Sequence, residues 1–227
     1  MDKVAPRING MLLNIFDAEM LDDYSIGPCN YDGGYVLPPS ATFPIILAGK
    51  VGVRSLSITL DFTGETRYER TLTISQFTQI LQEGCELLLP DGFYYTCVYS
   101  GASTPKDKSP WITQVSFSLL AVRHGSKVIE TFKTGVNTLN VKGNCNAPAI
   151  LKIKATDTEV TVCGFTIKNI KGEVIIDGME GTVLENGLNK FGDIENMTKF
   201  PEFNAGKNSI EIIGNAEVTI IYFPIFR

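Results

Sequence analysis

The sequence predicts a mainly β protein with an N-terminal β-sandwich or barrel-like domain, which carries one short helix and an extended arm, and a C-terminal β-sandwich. The 227 residues include 15 Val, 23 Ile and 20 Thr against 11 Ala, and β-branched residues favour strands. Several segments alternate apolar and polar residues, which is typical of half-buried strands. After Lys133 short strands follow one another between Gly or Asn turns, a spacing that indicates a sandwich or a barrel.

The chain is expected to open with a β-hairpin, because Asn9-Gly10 lies between two short apolar segments and favours a type I′ turn. Residues 53–62 alternate strictly and predict a half-buried strand. A short helix is predicted over Ser75–Glu83, where Thr73 and Gln76 match a capping box and Gly84 is a suitable C-terminal cap.

The segment from Tyr24 to Gly49 predicts an arm. Gly27-Pro28, Asp32-Gly33-Gly34, Pro38-Pro39 and Pro44 interrupt it too often for a core strand. It is also longer than the structureless stretches of about 12–15 residues that compact domains tolerate. Its apolar side chains would be costly to leave in water, so we expect them to lie on a neighbouring subunit. The predicted contact residues are Tyr31, Tyr35, Val36, Leu37 and Phe43.

Further strands are predicted on both sides of a domain boundary near Gly135, which gives domains of residues 1–134 and 135–227. Before the boundary, Glu86–Leu89 and Phe93–Tyr99 flank a turn at 90–92, a polar excursion covers 102–110, and a long strand runs from Trp111 toward Arg123. After it, the predicted strands are 138–142, 149–155, 159–167, 173–177, 181–184, 209–213 and 217–223.

Charge and cysteine content exclude several classes of function. With 20 Lys+Arg against 25 Asp+Glu, the chain lacks the basic surface that binds nucleic acid. The apolar runs fall short of the roughly 20 residues that cross a bilayer, and residues 1–10 do not resemble a secretory signal. Five widely spaced cysteines indicate neither a disulfide framework nor a zinc site, so we expect free thiols and synthesis in a cytoplasm.

Catalytic residue types are scarce, and we expect no enzyme, cofactor or metal. His124 is the single histidine, and we interpret it as a turn or surface residue because no nucleophile signature lies near it. No phosphate-binding glycine motif occurs. The closest carboxylates, Asp22-Asp23, Asp157 with Glu159, and Asp177 with Glu180, are interpreted as solvated side chains.

An aromatic group allows a second interpretation. Phe93, Tyr94, Tyr95, Tyr99 and Trp111 would suit a sugar-binding platform, although core packing and subunit contact are the commoner uses of such rings. A carbohydrate-binding accessory domain of a baseplate therefore stays open as an alternative.

The order of these features resembles the distal tail (Dit) proteins of long-tailed phages. Ile8-Asn9-Gly10, the arm, the short helix and Leu89–Tyr94 match in the first half. In the second half, Ile175–Gly178 precedes a loop that resembles the family's F-P-x-[LF]-x-x-G-x-N signature. Its matching residues are Phe200, Pro201, Phe203, Gly206 and Asn208.

The resemblance implies a structural protein of the virion tail tip. Six copies would form a ring through their N-terminal domains, helped by the arm, while the C-terminal domain would be a galectin-like or jelly-roll sandwich. The ring would join the tail tube protein to the tail-tip hub, with receptor-binding or baseplate proteins as further partners. Its channel would pass the tape measure protein and DNA without binding DNA specifically.

Overall fold

The computed structural model describes residues 4–32, 35–36, 45–46 and 50–227 of the chain. Contacts within the chain divide it into two units, Met1–Arg123 with Arg227 and His124–Phe226. Each unit is built on its own antiparallel sheet and has its own apolar core. The expected mainly β fold is confirmed.

The first unit contains eleven short or long strands and one α-helix within the described residues. Its main sheet has the order β2-β1-β8-β9-β11-β7-β3, with β10 paired to β11 and β4 paired to β7. The expected opening hairpin is confirmed, since Asn9 and Gly10 have φ of 48° and 79°, as a type I′ turn requires. The elements are β1 (Arg7–Ile8), β2 (Met11–Leu12), β3 (Ala18–Met20), β4 (Ser25–Asp32), β5 (Tyr35–Val36), β6 (Ile45–Ile46), β7 (Lys50–Thr63), α1 (Arg67–Gln82), β8 (Cys85–Leu88), β9 (Tyr94–Ala102), β10 (Lys106–Ser109) and β11 (Ile112–His124).

Helix α1 begins eight residues earlier than the sequence predicts. Its N-cap is Thr66, whose hydroxyl accepts a hydrogen bond from Glu69 N at 3.2 Å while Thr66 N donates to Glu69 Oε2 at 3.1 Å. The predicted capping box at Thr73 is wrong, since Thr73 lies inside the helix and its hydroxyl donates to the carbonyl of Glu69. Gly84 follows the end of the helix with φ of 85°, a left-handed conformation that favours glycine.

One face of the first sheet packs against α1. Phe77 and Leu81 of the helix are fully buried, and the Phe77 ring contacts Phe62 of β7 and Phe117 of β11 at centroid distances of 5.7 and 5.4 Å. Leu56, Ile58 and Leu60 extend this core along β7, with Val115 and Leu119 opposite them on β11. The alternation predicted for residues 53–62 is therefore real, with the even-numbered positions facing inward.

The polar excursion at residues 102–110 contains strand β10, which forms a hairpin with β11. A buried arginine holds this hairpin to the helix. Arg70 is 3% exposed, and its guanidinium donates to the Thr113 hydroxyl at 2.8 Å and to the Pro110 carbonyl at 2.7 Å. The sequence does not reveal this role, because an arginine early in a helix usually faces solvent.

The second unit contains ten strands within the described residues. Its sheet has the order β18-β17-β16-β13-β21-β14-β15-β19, with β12 paired to β21 and β20 paired to β13. The strands are β12 (Val128–Val141), β13 (Ala147–Ala155), β14 (Val160–Val162), β15 (Phe165–Ile167), β16 (Val174–Asp177), β17 (Thr182–Glu185), β18 (Leu188–Asn189), β19 (Ile194–Glu195), β20 (Glu202–Phe203) and β21 (Gly206–Tyr222).

Three segments of the second unit differ from their predicted strands. Residues 159–167 form a hairpin rather than one strand, because Cys163 and Gly164 adopt φ of 52° and 88° and reverse the chain. Two predicted strands at the C-terminus are the one long β21, which bends at Gly214 with φ of 97°. The first half of β21 pairs with β14 and the second half with β13, so the bend lets one strand serve both partners. Strand β12 begins at Val128, before the Gly135 boundary.

Candidate assembly surfaces

The first part of the segment predicted as an arm belongs to the main sheet, because Ser25, Ile26 and Cys29 of β4 pair with β7, and the described remainder is an antiparallel hairpin. Strands β4 and β7 pair as far as Tyr31 with Val51 and Asp32 with Lys50, and beyond them Tyr35 pairs with Ile46. Strand β7 pairs with β11 only from Arg54 onward. The hairpin therefore continues past the end of the β7–β11 ladder. Of the predicted contact residues, Val36 pairs with Ile45, and Leu37 and Phe43 lie outside the described residues.

The other face of the first sheet is not covered by the helix, and it is rich in hydroxyl groups. On β7 and β11 the Thr59 and Ser116 hydroxyls lie 3.0 Å apart, and Ser57 is opposite Ser118 in the register. Asp61 accepts a hydrogen bond from Gln114. On the side of the sheet away from the helix, the three neighbouring strands β9, β11 and β7 carry Tyr94, Thr96, Val98, Ser100, Gln114, Ser116, Ser118, Leu120, Val122, Val53, Ser55, Ser57, Thr59, Asp61 and Thr63, of which Thr59 is 8% exposed.

We call this set of residues the hydroxyl face. Asp61 carries its single charge, and Glu19 of β3 lies opposite Asp61 in the ladder. The described strands β3, β7, β9 and β11 present no Lys or Arg on this side. The central strands therefore offer no cation to bind a phosphate. The register places two exposed cations further out on the same side of the sheet, Lys106 of β10 opposite Gln114 and Arg7 of β1 opposite Leu88.

The loop that resembles the family signature is shaped by its own residues. Gly206 has φ of 88°, which favours glycine. The Asn208 amide closes the turn, since its Oδ1 accepts from Asn204 N at 3.0 Å and its Nδ2 donates to Asn204 O at 2.7 Å. Phe203 is buried and pairs with Ala147. The spacing of Gly206 and Asn208 in the signature is therefore the spacing that this turn requires.

Pro201 and Phe200 are neighbours in this loop but differ in burial. Pro201 is buried, and its carbonyl accepts from Ala149 N at 3.0 Å. Phe200 is half-buried and contacts the exposed ring of Phe191 at a centroid distance of 6.3 Å. Phe200 therefore remains available at the surface of the second unit.

A buried ammonium group ties neighbouring loops of the second unit together. The Lys190 side chain is 8% exposed, and its Nζ contacts Glu185 Oε2 at 2.9 Å, Asp193 Oδ2 at 3.0 Å and the Asn169 carbonyl at 2.7 Å. Burial alone lowers the pKa of Lys190, but the hydrogen bonds to both carboxylates outweigh it and raise that pKa above its usual value. We call Lys190, Glu185 and Asp193 the polar clasp.

Both carboxylates of the polar clasp are stabilised in their charged form. The backbone amide of Lys171 donates to Glu185, and together with Lys190 it lowers the pKa of Glu185. The Asn169 side chain donates to Asp193 at 2.9 Å, and this bond and Lys190 lower the pKa of Asp193. The clasp therefore has complementary charges and hydrogen bonds, and a structural role accounts for it.

The candidate catalytic residues His124, Asp177 and Asp157 each have a structural role and do not form a common site. His124 is 5% exposed, its ring packs edge-on against Phe223 at 5.1 Å, and its backbone bridges Ile225, so the expectation of a surface histidine is wrong. The Asp177 side chain accepts from the Met179 and Glu180 amides and caps a turn. Asp157 does the same for Asn215. Within the described ranges, no group of three or more His, Cys, Asp or Glu could hold a metal ion.

All five cysteines are free thiols. Cys85, Cys97 and Cys145 are buried, whereas Cys29 and Cys163 are partly exposed. Burial raises the pKa of Cys163 to about 11. In the part of the chain that the structure describes, no helix is long and apolar enough to cross a membrane.

The aromatic residues do not form a single platform. Tyr95 is fully buried, and its hydroxyl donates to Asp91 at 2.6 Å. The Phe93 ring lies under the Arg123 guanidinium at 4.8 Å. Trp111 is 60% exposed at the β10–β11 turn. Core packing thus accounts for Tyr95, which the alternative required as a sugar-stacking ring.

Two antiparallel β units, the first with one packed helix and a projecting hairpin, together have the fold of phage tail hub proteins. The Dit protein of phage SPP1, described as a paradigm of the hub adsorption apparatus in phages infecting Gram-positive bacteria, matches 98% of this chain over 99% of its own, with a TM-score of 0.67 and 12% identity. A chain of the phage P2 baseplate in its activated conformation with Ca matches 90% of each chain, with a TM-score of 0.53 and 11% identity. The Sr form of that baseplate gives a TM-score of 0.52 at 11% identity and the same coverage.

The resemblance to Dit proteins that the sequence predicts is confirmed at the level of fold. It extends over both units, because the SPP1 protein and this chain cover each other almost completely. No protein-family model matches the chain, and neither does any curated protein sequence. The likeness to these structures is therefore one of fold, at 11–12% sequence identity.

Proposed function

We propose that this chain is a distal tail protein with a structural, non-enzymatic role at the virion tail tip. Six copies form a ring that joins the tail tube protein to the tail-tip hub, and the protein is made in the cytoplasm of the host bacterium. The observation that carries the proposal is the match to the SPP1 Dit protein over 98% of the chain. The baseplate match supports the same location.

In this proposal the first unit builds the ring and the hydroxyl face lines its channel. Along the central strands β7, β9 and β11 a phosphate would meet hydroxyl groups and the Asp61 carboxylate, which suits a channel for DNA, while Lys106 and Arg7 lie on the outer strands of the same side. Val98, at 62% exposure, is the most exposed of its apolar residues. Tape measure protein and DNA pass such a wall without specific binding.

The arm holds neighbouring copies together. Its hairpin extends past the β7–β11 ladder, and residues 35–46 contain Tyr, Val, Leu, Phe and Ile but no charged residue. An uncharged hairpin with apolar side chains gains free energy when a second copy covers it. The second unit provides attachment for receptor-binding or other baseplate proteins.

A shortened hairpin tests the role of the arm. Replacing residues 33–49 with Asn-Gly connects the paired residues Asp32 and Lys50 by a two-residue turn. The variant is expected to keep the wild-type circular dichroism spectrum and unfolding curve of the folded units and to remain monomeric at concentrations where the wild type forms rings. Rings of unchanged size and stability in the shortened variant would refute the assignment of the arm.

A further inference from the structure

Two of the five thiols face each other in the first unit. Cys85 begins strand β8, Cys97 lies on the neighbouring strand β9, and the antiparallel register places the two residues directly opposite each other. Both side chains belong to the core that also contains Phe77 and Leu81 of α1, with exposed fractions of 6% and 1%. The two sulfur atoms therefore lie on the same side of the sheet at the same position of the ladder.

The separation of the two strands suits a disulfide bond. Directly opposite residues of an antiparallel pair have Cα atoms about 4.5–5.5 Å apart, and disulfides join residues whose Cα atoms are about 4.4–6.8 Å apart. The Cys97 sulfur lies 3.2 Å from the Tyr95 carbonyl oxygen. Cys97 also hydrogen-bonds to Cys85, which lowers the pKa of Cys85 and raises the pKa of Cys97. Cys85 is therefore the thiol that more readily becomes the nucleophilic thiolate.

A disulfide at this position would be under strain. Directly opposite residues keep their Cβ atoms about 4.5–5.5 Å apart, whereas a disulfide holds them about 3.5–4.5 Å apart. The bond would therefore draw β8 and β9 together, and strained disulfides are the ones that thiols reduce most readily. For that reason a cross-link between these two strands is reversible.

A small reagent reaches the pair through the end of strand β8. Within the described residues, the pairing of the opening hairpin with β8 runs from Leu88 to Glu86 and ends before Cys85. Gly84, with φ of 85°, connects the end of α1 to Cys85. Local opening of a strand end requires less free energy than opening of the core, and here it exposes Cys85 first.

We propose that Cys85 and Cys97 form a reversible disulfide site, which is reduced in the host cytoplasm and is oxidised by a low-molecular-weight disulfide once the particle has been released. The change of compartment rests on the proposed function, whereas the site itself rests on the register of β8 and β9. Thiols stay reduced in a bacterial cytoplasm, and disulfides persist on the surfaces of virions.

The oxidation proceeds in two exchange steps. The Cys85 thiolate attacks one sulfur of the small disulfide, forms a mixed disulfide and releases one small thiolate. Cys97 then gives up its proton and attacks the Cys85 sulfur, which forms the bond between the strands and releases the second small thiolate. The two protein thiols lose two electrons, and the reagent is reduced to two small thiols that take up the two protons.

Peptide mapping of the full native chain tests the site. The chain has no Lys or Arg from position 71 to position 105, so trypsin leaves Cys85 and Cys97 together on the peptide 71–106, and it places Cys29, Cys145 and Cys163 on three other peptides. The protein is incubated with oxidised glutathione, alkylated and digested. We expect peptide 71–106 to lose two hydrogen atoms and to take up no alkyl group. Treatment with dithiothreitol before alkylation should restore both thiols.

Three variants separate the two steps. Cys97→Ser should stop at the mixed disulfide, so that Cys85 carries one glutathione. Cys85→Ser should leave Cys97 unmodified over the same time, because Cys97 is 1% exposed. The matched control Cys145→Ser removes a buried thiol of the second unit and should leave the internal bond of peptide 71–106 unchanged.

The proposal is overturned if native peptide 71–106 keeps two alkylatable thiols at oxidised glutathione concentrations that modify Cys29 or Cys163. It is also overturned if the bond forms in urea but not in the native chain, because the register would then not bring the thiols together. Rings assembled under reducing conditions do not depend on this bond. Its absence would therefore leave the ring proposal intact, and an absence of rings would leave the disulfide site intact.

Discussion

Gln114 and Asp61 are joined across strands β11 and β7 by a hydrogen bond of 2.9 Å from Nε2 to Oδ1, on the hydroxyl face of the first unit. The bond satisfies a neutral amide and fixes the single carboxylate of that face. Together with the Thr59–Ser116 contact it produces a polar surface whose groups bond to one another across the sheet. Such a surface suits a channel wall that polymers pass without adhering.

Adding cations to the hydroxyl face should make assembled rings bind DNA. Ser57→Arg with Ser118→Arg places two positive charges at opposite positions of the β7–β11 ladder. Each ring would gain twelve guanidinium groups in its channel, so we expect DNA retention in a mobility-shift assay that weakens steeply with salt. Wild-type rings should show none.

The matched control for that experiment carries the same charges on the helix. Ser75→Arg with Gln76→Arg changes two exposed positions of α1. If the helix control retained DNA as strongly as the Ser57 and Ser118 variant, the channel assignment of the hydroxyl face would be wrong.

Removing the N-cap of α1 should destabilise the first unit. Thr66→Ala deletes the hydroxyl that accepts from Glu69 N, and we expect a loss of about 1 kcal/mol in the free energy of unfolding in urea. Thr73→Ala, at the cap position predicted from sequence, should cost less than about 0.5 kcal/mol, because alanine is favoured inside a helix. The reverse order would contradict the helix boundary.

Removing the ammonium of the polar clasp should destabilise the second unit more strongly. Lys190→Met leaves Glu185, whose side chain is 11% exposed, without its cation, and we expect a loss of about 3 kcal/mol in the free energy of unfolding. The control Lys154→Met breaks an exposed pair with Glu173 at 3.7 Å and should change stability by less than about 1 kcal/mol. Equal effects of the two substitutions would show that the clasp contributes little.

The contribution of the polar clasp should depend on pH in a defined direction. The folded pKa values of Glu185 and Asp193 are lowered, so their stabilisation is complete above their unfolded pKa values, near 4.5 and 3.8. It is lost as the pH falls through the folded values. The difference in unfolding free energy between wild type and Lys190→Met should therefore be constant from about pH 6 to 8 and shrink below about pH 4. A difference that grows on acidification would contradict this assignment.

The sequence predicts strands better than it predicts their ends and bends. Polar and apolar residues alternate over 53–62 because one face of β7 is buried under α1, and this period of two is visible in the sequence. The start of α1 is missed because its first turns carry the exposed residues Arg67, Tyr68 and Glu69, and their one buried residue, Arg70, is charged, so no apolar stripe marks them. Strand β21 is divided wrongly because Gly214 and Asn215 resemble a turn, whereas here they bend a continuous strand.

The candidate surfaces also differ in how far the sequence predicts them. The F-P-x-F-x-x-G-x-N loop is visible in sequence because Gly206 and Asn208 each serve a local turn. The hydroxyl face depends on the register between β7 and β11, which are about fifty residues apart in the chain, and no local pattern records that register. Burial of His124 depends on its distant partners Phe223 and Ile225 in the same way.

Electron microscopy of the purified protein in negative stain, combined with its mass in solution, tests the central claim most directly. The proposal predicts rings with sixfold symmetry and a mass six times the 24.9 kDa of the chain, or twice that for rings stacked back to back. A protein that remains monomeric or dimeric at all concentrations, also in the presence of the tail tube protein, would contradict it.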